Sequence, residues 1–151
     1  MKAREIMTKD LTSLSPEHSV KEALELLKKM RISGLPVIDK EGKLVGMLTE
    51  KEILSFVLPS YIGAVGRFIY EENPKSTRKK LGELAKLKVS QLMRKEVVTT
   101  TEETTLCEVA RIMLIQKARR LPVVDKTGKV VGIVARPDVL AAFMKEAEGI
   151  K

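Results

Sequence analysis

Leu35-Pro36-Val37-Ile38-Asp39-Lys40-Glu41-Gly42-Lys43-Leu44-Val45-Gly46 returns as Leu121-Pro122-Val123-Val124-Asp125-Lys126-Thr127-Gly128-Lys129-Val130-Val131-Gly132, without a gap, at an offset of 86 residues. Upstream, Ile6-Met7 falls on Leu92-Met93 and Ser13 on Thr99; downstream, Ile53-Leu54 falls on Val139-Leu140. The repeated unit is therefore about fifty residues long, and self-similarity at a fixed period is read before anything else because it dictates the architecture. The chain divides into a first copy (1–58), an insert (59–88) and a second copy (89–146).

Each copy has a local reading. Leu11-Thr12-Ser13-Leu14 and Val97-Val98-Thr99-Thr100 are short, β-branched or apolar segments. Ser15-Pro16 and Thr101-Glu102 end them, which predicts a strand followed by a helix start. Val20, Ala23, Leu24, Leu27 and Met30, and then Leu106, Val109, Ala110 and Met113, recur at helical spacing and predict core-facing helices. The quoted stretch is a strand, a Gly-containing hairpin turn and a returning strand, and Glu50 to Val57 begins another helix. The order per copy is β-α-β-β-α, a mixed α/β (α+β) unit. One copy alone leaves a three-stranded sheet with a naked face, which predicts two small sheets packed face to face about a pseudo-two-fold axis.

The insert carries Pro59, Gly63, Gly66 and Pro74 around apolar Ile62, Val65, Phe68, Ile69 and Tyr70. A basic run from Lys75 to Lys80 follows, then a Leu81-Leu84-Leu87 stripe. This reads as an ordered, partly helical crossover that covers the core, or else as a partner-docking element.

Composition bounds the function. Hydrophobic residues make up 44% of the 151 and charged residues 32%, ample for one packed domain and far from the balance of a disordered chain. Aromatics are 3% with no Trp, so a base-stacking platform is not expected. The single Cys fits a reducing compartment. No apolar run reaches the roughly 20 residues of a membrane span and the start lacks a signal-peptide core, so a cytoplasmic protein with no membrane partner is expected. One Asn and two Gln among many Lys and Glu suggest a thermophilic source. The net charge of +8 favours anionic partners.

Paired units of this kind, with a Leu-Pro-Val-Val-Asp strand, a Gly-Lys turn, a Val-Val-Gly strand and a Thr-x-x-Asp-like helix start, resemble cystathionine β-synthase (CBS) domains in tandem, a Bateman module. The resemblance covers nearly the whole chain apart from the insert. It implies a non-catalytic regulatory module that self-associates, usually into a flat disc of four motifs. Clefts between paired motifs hold an adenosine-containing ligand: AMP, ADP, ATP or S-adenosylmethionine.

In the family's Gly-x-x-Thr-x-x-Asp pattern the carboxylate accepts from the ribose hydroxyls, and the Thr hydroxyl meets phosphate at a helix start, where free N–H groups and the macrodipole favour anions. The first copy reads Gly46-Met47-Leu48-Thr49-Glu50-Lys51-Glu52, with Glu where Asp is usual; the second reads Gly132-Ile133-Val134-Ala135-Arg136-Pro137-Asp138, without the hydroxyl. Asp138 and Glu52 are the ribose candidates, Asp138 the better because its shorter carboxylate matches the pattern. Thr49-x-x-Glu52 is also a capping box, and Asp138 after Pro137 is also an ordinary first-turn acid. Thr49, Lys51, Ala135, Arg136, Arg119 and Arg120 stand at the phosphate positions, Arg136 replacing the hydroxyl lost at Ala135. Ser33, Gly34, Leu35, Pro36 and Val37, with Leu121, Pro122 and Val123, would line the adenine; strand-end residues Ser13, Pro16, Thr99, Thr101 and Glu102 would line the cleft. Which strand ends accompany Asp138 and which Glu52 is left open, and solvated side chains are the plain alternative for Lys51, Arg119 and Arg120.

Catalysis finds little support. His18 and Cys107 are the only residues of their kinds; His18 reads as a solvated residue in a first helical turn and Cys107 as partly buried filler. No Cys or His spacing suggests a metal. The two Gly-Lys turns lack the remaining residues of a phosphate-binding P-loop, and Gly63-Ala64-Val65-Gly66 has the spacing but not the context of a KH clamp loop. The leading expectation is an adenosine-nucleotide sensor acting through a homodimer or an effector protein. The alternatives are a nucleic-acid-associated basic protein and a ligand-free structural dimerisation module.

Overall fold

The computed structural model describes residues 1–58 and 74–149. The apolar part of the insert, Ile62 to Tyr70 with its Gly63–Gly66 loop, lies outside the described residues. The elements run α1 (Ala3–Ile6), α2 (Val20–Met30), β1 (Gly34–Ile38), β2 (Leu44–Thr49), α3 (Glu50–Val57), α4 (Pro74–Lys86), α5 (Val89–Leu92), α6 (Leu106–Ile115), β3 (Arg120–Val124), β4 (Val130–Ala135) and α7 (Arg136–Glu148). The α-β-β-α run of each copy is the one read from the sequence, and each is preceded by a short helix, α1 or α5, that was not expected. Strands β1 and β2 form one small sheet and β3 and β4 another.

The predicted first strands shrink to single bridges. Leu14 pairs with Val37 and Thr100 with Val123, both parallel. The chain then turns away before a ladder can form. In the first copy Ser15 N–H donates to His18 Nδ1 at 3.0 Å, a turn that delays the helix to Val20, where Ser19 Oγ accepts from Glu22 N–H. Likewise α6 starts after Thr105, whose hydroxyl accepts from Glu108 N–H, and not after Thr101-Glu102. His18 is therefore a turn-closing acceptor ahead of the helix, not a solvated first-turn residue. Cys107 is exposed rather than partly buried, because position N2 of α6 points away from the Leu106–Val109–Met113 face. Met30, read as core-facing, is exposed at the end of α2.

Both helices end alike. Arg31 (φ 55°) and Lys117 (φ 54°), at equivalent positions, are left-handed. Gly42 and Gly128, φ 86° and 85°, make the two hairpin turns, where a side chain would be strained. Asp39 Oδ1 accepts from Glu41 N–H and Lys43 N–H; Asp125 Oδ1 accepts from Thr127 N–H, Thr127 Oγ–H and Lys129 N–H.

The chain folds as two compact units that do not follow the linear copies. The first unit comprises 14–37 and 45–95; the second comprises 1–13, 38–44 and 96 onward. Short segments have been exchanged. In the second unit Ala3 is fully buried in the core, its N–H donates to Thr104 O, and Thr8 pairs with Ile133. The first unit repeats this with Val89 buried, its N–H donating to His18 O, and Arg94 pairing with Met47. Residues 3, 8, 104 and 133 correspond to 89, 94, 18 and 47, so the exchange is reciprocal.

Leu14, Val20, Ala23, Leu27, Leu35, Val37, Leu48 and Ile53 fill the first core, and Leu84 of α4 joins them while Leu81 remains exposed. The second core gathers Leu106, Val109, Met113, Leu121, Val123, Val134, Val139 and Ala142. Burying such a side chain contributes roughly 1.5–3 kcal/mol.

Candidate functional site

In each unit the site begins where the returning strand meets its helix. Within the first unit, Thr49 N–H and Thr49 Oγ–H both donate to Glu52 Oε1, at 2.9 and 2.8 Å, and Lys51 N–H donates to Thr49 Oγ at 3.2 Å. The capping box is formed, and it occupies the Thr hydroxyl and one oxygen of Glu52. Glu50 N–H donates to Ser33 O at 2.8 Å, bringing Ser33 to the start of α3. Lys51 is exposed.

The second unit builds the same corner from other side chains. Ala135 N–H donates to Asp138 Oδ2 at 2.8 Å, so Asp138 also caps its helix. Its Oδ1 takes no hydrogen bond from the described residues. Arg136 N–H donates to Arg119 O at 3.2 Å and Arg136 Nε–H to Ala118 O at 3.4 Å. Arg120 stands opposite Ala135 in the β3–β4 register. Three arginine positions thus adjoin one helix N-terminus, beside a carboxylate with an oxygen that takes no hydrogen bond from the described residues.

The two differences are coupled. In the first unit a Cβ on Gly34 would lie 2.7 Å from Thr49 Cγ2 and 3.1 Å from Leu48 O, so a branched cap residue demands glycine across the pair. In the second unit the large residue, Arg120, is on β3 and the small one, Ala135, at the cap. The hydroxyl is lost where a guanidinium has been gained.

Gly46 and Gly132, read as part of a ligand-binding pattern, have a packing role. A Cβ on Gly46 would lie 2.6 Å from Met93 Sδ and 2.9 Å from Arg94 O; one on Gly132 would lie 2.5 Å from Met7 Sδ. Each glycine seats the methionine of an exchanged segment. The constant offset already aligned Met7 with Met93, the signal that could have flagged the pair.

Leu35, Pro36 and Val37, like Leu121, Pro122 and Val123, have their side chains buried. What they leave at the strand is backbone: Leu14 N–H donates to Pro36 O and Thr100 N–H to Pro122 O, which fixes each motif's own strand end beside its own hairpin. Thr99, Thr101 and Glu102 therefore lie on the unit that carries Asp138, and Ser13 groups with that unit too. Pro16 lies on the unit of Glu52, where its carbonyl accepts from Ser90 N–H. Thr101 N–H and hydroxyl face Thr104 Oγ. Beside Glu102, Glu103 pairs with Lys2 and Arg4, and the Lys2 hydrogen bond, then the Arg4 charge, hold its carboxyl below the usual range. Thr100 is 95% buried and its Oγ takes no partner among the described residues.

No group of three or more metal-ligating side chains occurs among the described residues, and no helix there is long and apolar enough to cross a membrane. The profile of the CBS domain matches residues 3–59 and 89–145, both copies. The chain belongs to the CBS domain family.

Its CBS pair is 39% identical over 150 residues to CBS domain-containing protein CBSX1, chloroplastic, of Arabidopsis thaliana, covering 93% of this chain and 63% of that relative, so it spans less than two thirds of the relative's length. The crystal structure of CBSX2 in complex with AMP superposes with a TM-score of 0.75 at 30% identity, covering 97% of this chain and 98% of that one. Inosine-5'-monophosphate dehydrogenase of Methanocaldococcus jannaschii is 31% identical over 139 residues, 92% of this chain but only 23% of the enzyme. What is shared with that enzyme is a CBS region.

Proposed function

We propose that this chain is a non-catalytic regulatory module that binds an adenosine-containing nucleotide, AMP, ADP, ATP or S-adenosylmethionine, at the Asp138 corner of the second unit. The observation that carries the reading is that the backbones of Arg119, Arg120 and Arg136 adjoin the N-terminus of α7, within reach of a carboxylate with one unengaged oxygen. Ribose hydroxyls donate to Asp138 Oδ1 while Oδ2 keeps the helix capped. Phosphate is held by the guanidiniums, each charge-assisted contact worth about 1.5–3 kcal/mol. The AMP complex of CBSX2 supports this ligand class. In the first unit the corresponding helix start reads Glu50-Lys51-Glu52, one cation between two acids in sequence, so the phosphate preference falls on the second.

Binding transmits a signal through a homodimer or an effector protein, with a coupling of typically 1–3 kcal/mol between the states. Isothermal titration of the nucleotide-stripped protein with the four ligands, at two salt concentrations, tests this. Micromolar binding of one of them is expected. Silence from all four, with tight and steeply salt-dependent binding of an oligonucleotide, transfers the function to the exposed basic residues of α4, Arg78 and Lys79 among them.

A further inference from the structure

The net charge is concentrated in one short stretch. Residues 74–95 hold eight Lys and Arg against Glu83 alone. Of 28 basic and 20 acidic residues in all, the remainder of the chain therefore holds 20 against 19 and is nearly neutral. From Arg78 onward the cations of the stretch are all exposed. Two of them are engaged: Lys88 Nζ pairs with Glu17 at 2.8 Å, and Lys80 Nζ lies 4.9 Å from the centre of the Phe56 ring. Arg78, Lys79, Lys86, Arg94 and Lys95 take no acidic partner among the described residues.

Helix α4 sets the arrangement. It packs against α2 and α3 and buries Leu84 in the first core. Lys79, Gly82 and Lys86 recur at three- and four-residue spacing on the side away from Leu84, and Arg78 stands one turn before Gly82. A Cβ on Gly82 would meet nothing within 4 Å. A glycine inside a helix costs about 0.5–1 kcal/mol relative to alanine, and no packing in the structure requires this one. What it leaves is bare backbone between two lysines, where an anion can approach closely.

The same face narrows the kind of anion. Protein interfaces have an apolar centre and are depleted of Lys, whereas the centre here is a glycine flanked by lysines. Residues 74–95 contain no aromatic ring, so unpaired bases have nothing to stack on. A regular row of phosphates meets both conditions. We infer that the outward face of α4 binds the sugar–phosphate backbone of a nucleic-acid duplex without reading its sequence. Arg94 and Lys95, further along the same unit, add to the field that draws the duplex in. The inference goes beyond the nucleotide reading and is independent of it, since the Asp138 corner belongs to the other unit.

Fluorescence anisotropy of a labelled DNA duplex of mixed sequence, titrated with the full chain at several salt concentrations, tests this. Micromolar binding at low salt is expected, with a slope of log affinity on log salt of about −3 to −5, near −0.9 for each phosphate contact. Lys79→Glu with Lys86→Glu should weaken binding at least about tenfold and flatten the slope by about two, with nucleotide affinity and melting temperature retained. Lys126→Glu with Lys145→Glu, the same charge change on exposed residues of the other unit, should shift the dissociation constant less than about threefold. Gly82→Gln should raise the melting temperature and weaken duplex binding. Equal losses from the two charge-reversed pairs, or no duplex binding at low salt, overturn the site. Tighter binding of the single strand or of poly-glutamate overturns the duplex as partner, and indifference to Gly82→Gln overturns the close approach. Duplex binding without nucleotide binding would sink the nucleotide reading and leave this one standing.

Discussion

The two corners, Thr49–Glu52 and Ala135–Asp138, share one backbone plan and differ in what the plan leaves free. In the first, a hydroxyl and a backbone N–H converge on one carboxylate oxygen, and the hydroxyl in turn accepts from Lys51 N–H. In the second, a single N–H uses one oxygen of Asp138, and the backbones of Arg119, Arg120 and Arg136 adjoin the helix start. A damaged motif is thus not an empty one. Losing the hydroxyl removed a self-satisfied cap and made room for Arg120, which a threonine at 135 would crowd as Thr49 would crowd a side chain at 34.

The largest expected contrast is in ligand affinity. Asp138→Asn should weaken nucleotide binding tenfold to a hundredfold by calorimetry, in keeping with one charge-assisted hydrogen bond. The amide oxygen can still accept from Ala135 N–H, so the melting temperature of the free protein should move little. Glu52→Gln should change affinity less than threefold; equal losses would mean the corners are alike after all.

Next comes the methionine seat. Gly46→Ala should cost about 1–3 kcal/mol in urea denaturation, because the new Cβ meets the backbone oxygen of Arg94 as well as Met93. Gly132→Ala should cost less, since only the flexible Met7 side chain must give way. Reversed costs would show that the exchanged segments are not held as described.

Thr100 and Leu14 offer a gentler comparison. They are equivalent, and the threonine buries a hydroxyl without a partner among the described residues where the first copy has a methyl-rich side chain. Thr100→Val should raise stability by about 1 kcal/mol. A loss instead would point to a hydrogen bond that only a bound water or ligand supplies.

The smallest effect lies in the turns. The Thr127 hydroxyl first, then the N–H groups of Thr127 and Lys129, hold the Asp125 carboxyl below its ordinary 3.8. A lowered folded value means that the stabilisation is complete above the unfolded value and is lost as pH falls through the folded one, so the loss falls below about pH 4. Thr127→Glu, which copies the first turn, should flatten the fall of the melting temperature below about pH 4.

Much of this was legible because the repeat multiplies local signals. Gly42 and Gly128, the Asp-led turns and the apolar strands around them gave the hairpins, and the spacing of Thr49 and Glu52 gave the capping box. The helix starts slipped by several residues because His18 and Thr104 form turns that compete with the more obvious Ser15-Pro16 and Thr101-Glu102 signals. Cys107 was misplaced because one residue of helical phase separates buried Leu106 from solvent.

From its sequence alone, most of the chain's architecture followed: two copies of an α-β-β-α run, their hairpins and cores, and a pair of helix-start corners with complementary gaps. Those are short-range properties, set by periodicity, turn stereochemistry and capping. Tertiary structure decided which copy each terminal segment joins, because the offset of 86 residues is satisfied equally well whether Ala3 packs on its own copy or on the other. It also decided which carboxylate oxygen remains available, since a capping box and a ribose contact ask for the same residues at the same spacing and only the hydrogen bonds formed tell them apart.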